Sequence, residues 1–217
     1  MIEPSQKLVR LVDTVRKRDP AVAQLFKCIF PPEVRTYPIP FFGPLNYADV
    51  LTLSLSPSTT EFSKERDWPQ VISNNQLAAR LVNYFSLPEI KGHNWFSDLD
   101  DALWPIGRSY SLNCAHIDVS PWPTLSPSAL KKRESGIRDY DSLLMSELPF
   151  LETIIAHSLG PKLLIVVNTG RWERQIMSFL QKCIACELVF LSKNEVKSWV
   201  LLNKQRLLRL LGGSKKL

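Results

Sequence analysis

KLLIVVNTGRWERQI, residues 162–176, decides the fold class. Its opening is an almost unbroken apolar run rich in β-branched side chains, the pattern of a strand buried on both faces of a parallel sheet. A polar turn follows at Asn168, Thr169 and Gly170, and RWERQIMSFLQK then reads as a helix. Strand, turn and helix in that order make half of a βαβ unit.

Three further strands are expected at ADVLTLSL (48–55), SYSLNCAHIDV (109–119) and ELVFLS (187–192). Helical spacing of apolar residues predicts helices over 5–18, with Ser5 as N-cap, and over 72–85, 95–103 and 195–211. Asp19 and Pro20 restart the chain as a helix that ends near Phe30, before Pro31 and Pro32. A helix over 141–159 has to bend around Pro149 and ends at Gly160 and Pro161. Strands alternating with helices predict a three-layer α/β/α fold around a four-stranded parallel sheet. One domain over 1–217 is expected, with 1–37 as a helical extension packed on it and 212–217 as a frayed tail. Ligands of such sheets bind beyond the carboxyl ends of the strands. The search for a site therefore narrows to the turns 56–62, 118–124, 168–171 and 192–199.

Composition restricts the function classes. Of 217 residues, 45% are hydrophobic and 22% charged, enough to bury a core, and the net charge of +6 suits a polyanionic partner. There is no apolar run long enough for a membrane span and no signal-peptide core, so a cytoplasmic protein without membrane contact is expected. Four cysteines are too few for a disulfide scaffold. Cys183 and Cys186 have the spacing of a metal or redox pair but lack a second ligand pair, and are read as small apolar residues at a helix end. No metal and no cofactor is expected, and a nucleotide-binding protein is disfavoured by the lack of a glycine-rich phosphate loop.

Within the site-forming turns, LTLSLSPSTTEF, preceded by PIPFFGPLNYADV, resembles the first motif of the uracil-DNA glycosylase superfamily. Ser54 stands where a glycine is usual and Ser56 where an Asn or Asp is usual, while Pro57 and Ser58 match. LNCAHIDVSPWPT resembles the strand whose last residue reads the flipped pyrimidine; Asp118 takes the place of the common Asn. KLLIVVNTGRWERQI resembles the strand-turn-helix that follows. SKNEVKSW corresponds to the second motif without its His and Pro. The resemblance covers roughly residues 38–200.

The resemblance implies a DNA glycosylase that flips a base out of the stack, holds it in a pocket and stabilises an oxocarbenium-like sugar while water attacks. His116 and Asp118, two residues apart on a strand, share one face. A carboxylate only accepts hydrogen bonds, so Asp118 suits the 4-amino group of cytosine and implies a cytosine-derived base. Ser56 could position water, Glu61 or Asp118 could supply the catalytic carboxylate, and His116 could stabilise the departing base. Ser54, Pro57, Ser58 and Asn168 are candidates to line the pocket. Stacking candidates are Phe42, Phe62, Trp68, Trp95 and Trp122, with Phe62 and Trp122 preferred because they lie in site-forming turns. Lys131, Lys132, Arg133, Arg171, Lys193 and Lys197 are candidates for phosphate contacts.

Each residue also has a plainer reading. Asp118 and Glu61 could cap local turns, His116 could pack as a strand residue, the aromatics could be core, and the basic residues could solvate a surface. Within the superfamily, the chain is similar to bacterial antiviral glycosylases that excise glucosylated hydroxymethylcytosine from phage DNA. The small Ser54, Ser56 and Ser58 leave room for a base carrying a sugar. A monomeric, monofunctional enzyme is expected. The alternatives are a repair glycosylase acting on uracil or mismatches, and an inactive DNA-binding module of the same fold.

Overall fold

The apolar runs become short parallel strands in the computed structural model, which describes residues 1–18, 38–57, 72–87, 94–123, 134–158 and 160–212. They are β1 (Val50–Ser54), β2 (Cys114–Asp118), β3 (Leu163–Val167) and β4 (Glu187–Leu191). All three pairings are parallel, in the order β2-β1-β3-β4. Every residue of β2 and β3 is buried, the polar His116 and Asp118 of β2 included, whereas β4 is half-buried along its length because it forms an edge.

The helices are α1 (Gln6–Arg16), α2 (Asn74–Val82), α3 (Asn94–Leu103), α4 (Glu134–Ile155), α5 (Glu173–Cys183), α6 (Lys193–Leu202) and α7 (Lys204–Leu210). Leu8, Leu11, Val12 and Val15 form the buried stripe of α1, which packs against α2, and Ser5 caps its start by accepting from Leu8 N. Ser73 with Gln76 and Ser192 with Glu195 form capping boxes at α2 and α6. The chain is thus an α/β protein with an all-parallel four-stranded sheet flanked by helices. With the usual right hand of parallel crossovers, this order puts α2 and α3, between β1 and β2, on one face and α4 and α5 on the other. The strand order reverses between β1 and β3, so the crevice beyond their carboxyl ends is the topological switch point.

Several expected boundaries are corrected. The second strand begins at Cys114 rather than at residue 109, because residues 109–113 close a turn on themselves. Asn113 Oδ1 accepts from Ser109 N at 3.0 Å, and Ser109 O accepts from the backbone N–H groups of Asn113 and Cys114. The single helix expected over 195–211 is two, α6 and α7, which meet at Asn203 where φ is −101° and ψ is 8°. The fourth helix starts at Glu134, earlier than residue 141, and runs through Pro149. The helix expected up to Phe30 and residues 213–217 of the tail lie outside the described residues. Among the described residues no helix is long and apolar enough to cross a membrane.

The outer edge of β2 is covered. Phe42 bridges to His116 in antiparallel fashion, each donating its N–H to the other's carbonyl at 2.8 Å, and Ile39 N donates to Pro121 O at 2.7 Å. An exposed edge would offer unpaired backbone groups to another chain, and this segment takes them. Gly43 makes the close approach possible. Its φ is +86°, and an added Cβ would lie 2.9 Å from Cys114 O and 3.0 Å from the Phe85 ring.

Candidate functional site

Side chains alternate along a strand, so Thr52 and Ser54 of β1 face the same way as His116 and Asp118 of β2. The parallel register sets Thr52 beside His116 and Ser54 beside Asp118. At the carboxyl end of these strands the four side chains make one hydrogen-bonded constellation. Ser54 Oγ donates a hydrogen bond to Asp118 Oδ1. His116 Nε2 lies 3.3 Å from Ser54 Oγ and 3.4 Å from Asp118 Oδ1. On the other side of the ring, Nδ1 lies 2.8 Å from Thr52 Oγ1, which is 2.7 Å from the Tyr110 hydroxyl.

Donor inventory orders this chain for a neutral imidazole. A carboxylate cannot donate, so Ser54 spends its one proton on Asp118, and its Oγ can accept from His116 Nε2–H. Nδ1 is then the acceptor and takes the Thr52 proton, so Thr52 in turn accepts from Tyr110. Burial pushes the Tyr110 phenol well above its ordinary value, which keeps it a donor. All of these protons point towards one carboxylate.

Asp118 is 2% exposed, and its second oxygen, Oδ2, is buried with no hydrogen-bond partner among the described residues. An unpaired buried acceptor costs about 1–3 kcal/mol, more when charged, so Oδ2 is an acceptor of this constellation whose demand the described residues leave unmet. The residue types also match those of a nucleophilic triad, but the geometry does not. Serine and carboxylate share Nε2 of the histidine, and Nδ1, which a triad gives to the acid, faces a threonine.

Aromatic rings wall the constellation. The Phe42 ring stacks on His116 with centroids 6.1 Å apart and planes at 29°. Trp95 and Phe96 of α3 meet the imidazole edge-on at 5.0 and 5.1 Å. Of the proposed stacking residues, Phe42 and Trp95 are therefore at the site. Trp122, as buried as Phe42, packs near Glu147, and none of the ring contacts to His116 described above involves it.

Other candidates are placed as follows. Ser56 and Pro57 continue from β1, Ser56 half-buried and Pro57 buried. Asn168 is exposed with φ +57°, and its Oδ1 accepts from Lys193 N at 2.8 Å, so its amide oxygen caps α6 instead of facing a pocket. Arg171 pairs with Asp141 at 2.6 Å and stacks over Trp172. Lys193 pairs with Asp98 at 2.6 Å, with its Nζ 5.9 Å from the Trp95 ring centre. These two cations are engaged by carboxylates, while Lys197 is exposed on α6. Ser58, Glu61, Phe62, Trp68, Lys131, Lys132 and Arg133 lie outside the described residues.

Cys183 ends α5 and Cys186 precedes β4, both half-buried free thiols; burial pushes the Cys186 thiol up to about 11. Such a thiol is a poor nucleophile at neutral pH. Thr52 and Tyr110 were missed as site residues because each reads as an ordinary strand former. Only the register, which puts Thr52 beside His116, gives them a role. No family model matches the chain, and no curated protein matches it either.

Proposed function

We propose that the chain is a monofunctional DNA glycosylase of the uracil-DNA glycosylase type, acting on a cytosine-derived base of phage DNA that carries a glucosylated hydroxymethyl group. The observation that carries this reading is the buried, unpartnered Oδ2 of Asp118 at the carboxyl end of β2. A flipped cytosine offers a 4-amino donor, and an acceptor fixed by Ser54 and His116 on its other oxygen is suited to receive it. The all-parallel sheet, with this carboxylate next to the switch point, supports the same assignment. The net charge of +6 favours a polyanion.

In this reading the bond between the sugar C1′ and the base nitrogen breaks, its electron pair leaves with the base, and water adds to C1′ to give an abasic site. Asp118 reads the base, Ser54 and His116 hold the carboxylate, and Phe42 and Trp95 wall the imidazole. Ser56 would orient the water and Glu61 would take its proton. The small side chains of Ser54, Ser56 and Ser58 favour a base bearing a sugar.

The test is abasic-site formation on phage DNA containing glucosylated hydroxymethylcytosine, beside unmodified and uracil-containing DNA. Abasic sites on the phage DNA alone support the proposal. Release of uracil alone returns the chain to ordinary repair. DNA binding without abasic sites on any of the three makes it an inactive module of this fold.

A further inference from the structure

We infer that Tyr110 and Thr52 are positioning residues that lock His116 in the tautomer carrying its proton on Nε2, and thereby keep the donors of His116 and Ser54 on Asp118 and hold that carboxylate in place. That Asp118 reads a base rests on the glycosylase reading; the lock itself does not.

The ring of His116 is surrounded by groups that fix its orientation. Phe42 stacks on one side and Trp95 and Phe96 abut its edges, so the imidazole cannot turn over without displacing three aromatic side chains. With orientation fixed, what remains variable is which nitrogen bears the proton. Thr52 Oγ1 faces Nδ1 at 2.8 Å and can either donate or accept. Tyr110 removes that freedom. Its hydroxyl, 2.7 Å from Thr52 Oγ1, is fully buried; by donating to Thr52 it leaves the threonine proton to go to Nδ1. The other acceptor within reach of that proton, Ala115 O, is 3.5 Å away.

The consequence reaches the far end of the constellation. With the proton on Nε2, His116 donates towards Ser54 Oγ and Asp118 Oδ1, so Ser54 keeps its own proton on the carboxylate. Oδ1 is then fully used and Oδ2 is left as a pure acceptor. With the proton on Nδ1 instead, Nε2 becomes an acceptor that competes for the Ser54 proton. Ser54 can then turn its proton from Asp118 to Nε2, and the carboxylate loses both donors that hold it. The tautomer thus decides whether Asp118 is held in place or left free to turn.

The experiment has two readouts. Long-range proton–nitrogen NMR correlations on isotope-labelled protein report the tautomer of each of the three histidines, with His93→Gln and His157→Gln spectra completing the assignment. In the unaltered chain His116 should show a protonated Nε2 and a bare Nδ1; a protonated Nδ1, or an equal mixture, overturns the lock without touching the glycosylase reading. Tyr110→Phe and Thr52→Val, each first confirmed folded by its dispersed spectrum, should shift His116 towards a mixture. Both variants should also lower excision of the cytosine-type base by roughly tenfold, the scale of one lost hydrogen bond to a charged group. A shifted tautomer with unchanged excision overturns the positioning role. A correct tautomer in a chain that excises nothing leaves the lock standing and removes the glycosylase.

Discussion

Replacing Gly43 by alanine should destabilise the fold more than the same change at Gly107, and the difference can be worked from two local environments. Both glycines have positive φ, +86° and +68°. The left-handed conformation costs an L-residue about 1–2 kcal/mol, and the stiffer unfolded chain returns about 0.4–1 kcal/mol, which leaves a net loss of about 1 kcal/mol at either position. At Gly107 an added Cβ meets no atom within 4 Å among the described residues, so that loss should be the whole effect. At Gly43 it would sit 2.9 Å from the backbone oxygen of Cys114 and 3.0 and 3.2 Å from two atoms of the Phe85 ring. A strand carbonyl cannot swing aside, so overpacking adds about 1–3 kcal/mol and the total becomes about 2–4 kcal/mol. For a chain of this size that corresponds to a fall in Tm of roughly 4–16 °C, against roughly 2–4 °C for Gly107→Ala. Urea denaturation at matched m-value gives the free energies directly. Equal losses at the two positions would refute the claim that the segment before β1 is pressed against the edge of β2. Because Phe42 immediately precedes Gly43 and stacks on His116, Gly43→Ala should also lower any activity of the site more than Gly107→Ala does.

Asp118→Asn should lower excision of the cytosine-type base by about 1–3 kcal/mol in transition-state binding, or roughly 5- to 150-fold, because an amide can present a donor where the base also donates; full activity in a kinetic assay would remove the base-reading role. Burial pushes the Glu147 carboxyl up, with Arg18 and Trp122 pulling it partly back. The folded state therefore binds the proton more tightly than the unfolded chain, and the stability this group lends is complete below the ordinary glutamate range and is lost as pH rises through the raised value. Denaturation across that window should show the Glu147→Gln variant gaining on the unaltered chain as pH rises, and the opposite slope would contradict the burial argument. Arg108 grips both carboxylate oxygens of Asp49 at 2.8 and 2.7 Å and also donates to Leu211 O at 2.9 Å. Arg108→Lys should cost about 2 kcal/mol in urea denaturation despite keeping the charge, since an ammonium cannot reproduce the fork; a loss below about 0.5 kcal/mol would show the fork to be a surface pair of little consequence.

The parallel sheet was legible because β3 is apolar on both faces and β1, despite Thr52 and Ser54, is mostly apolar. The start of β2 was not, since Ser109, Tyr110 and Ser111 alternate like strand residues and only the side-chain closure by Asn113 turns them into a loop. Nor was the break at Asn203, because apolar periodicity continues through it into Leu207 and Leu208. At the site, the period of two marked His116 and Asp118 as facing together. Their partners Thr52 and Ser54 are brought in by interstrand register, which depends on contacts more than sixty positions apart. The same limit explains why Arg171 and Lys193 read as free cations. Their carboxylates, Asp141 and Asp98, come from other helices, and nothing in either local sequence announces the pairing.

The strand order also governs when the molecule can take shape during synthesis. β1 is made first and sits inside the sheet, yet both of its neighbours are encoded later, β2 beyond residue 113 and β3 beyond residue 162. The segment that seals the outer edge of β2 leaves the ribosome earlier still and has nothing to seal until β2 arrives. A nascent chain therefore carries a central strand with neither side paired until β2 is made and one side unpaired until β3 follows, the circumstance in which chaperone holding and delayed closure matter most. Codon choice or a pause between β2 and β3 would act on the yield of folded protein without altering a single contact in the finished one.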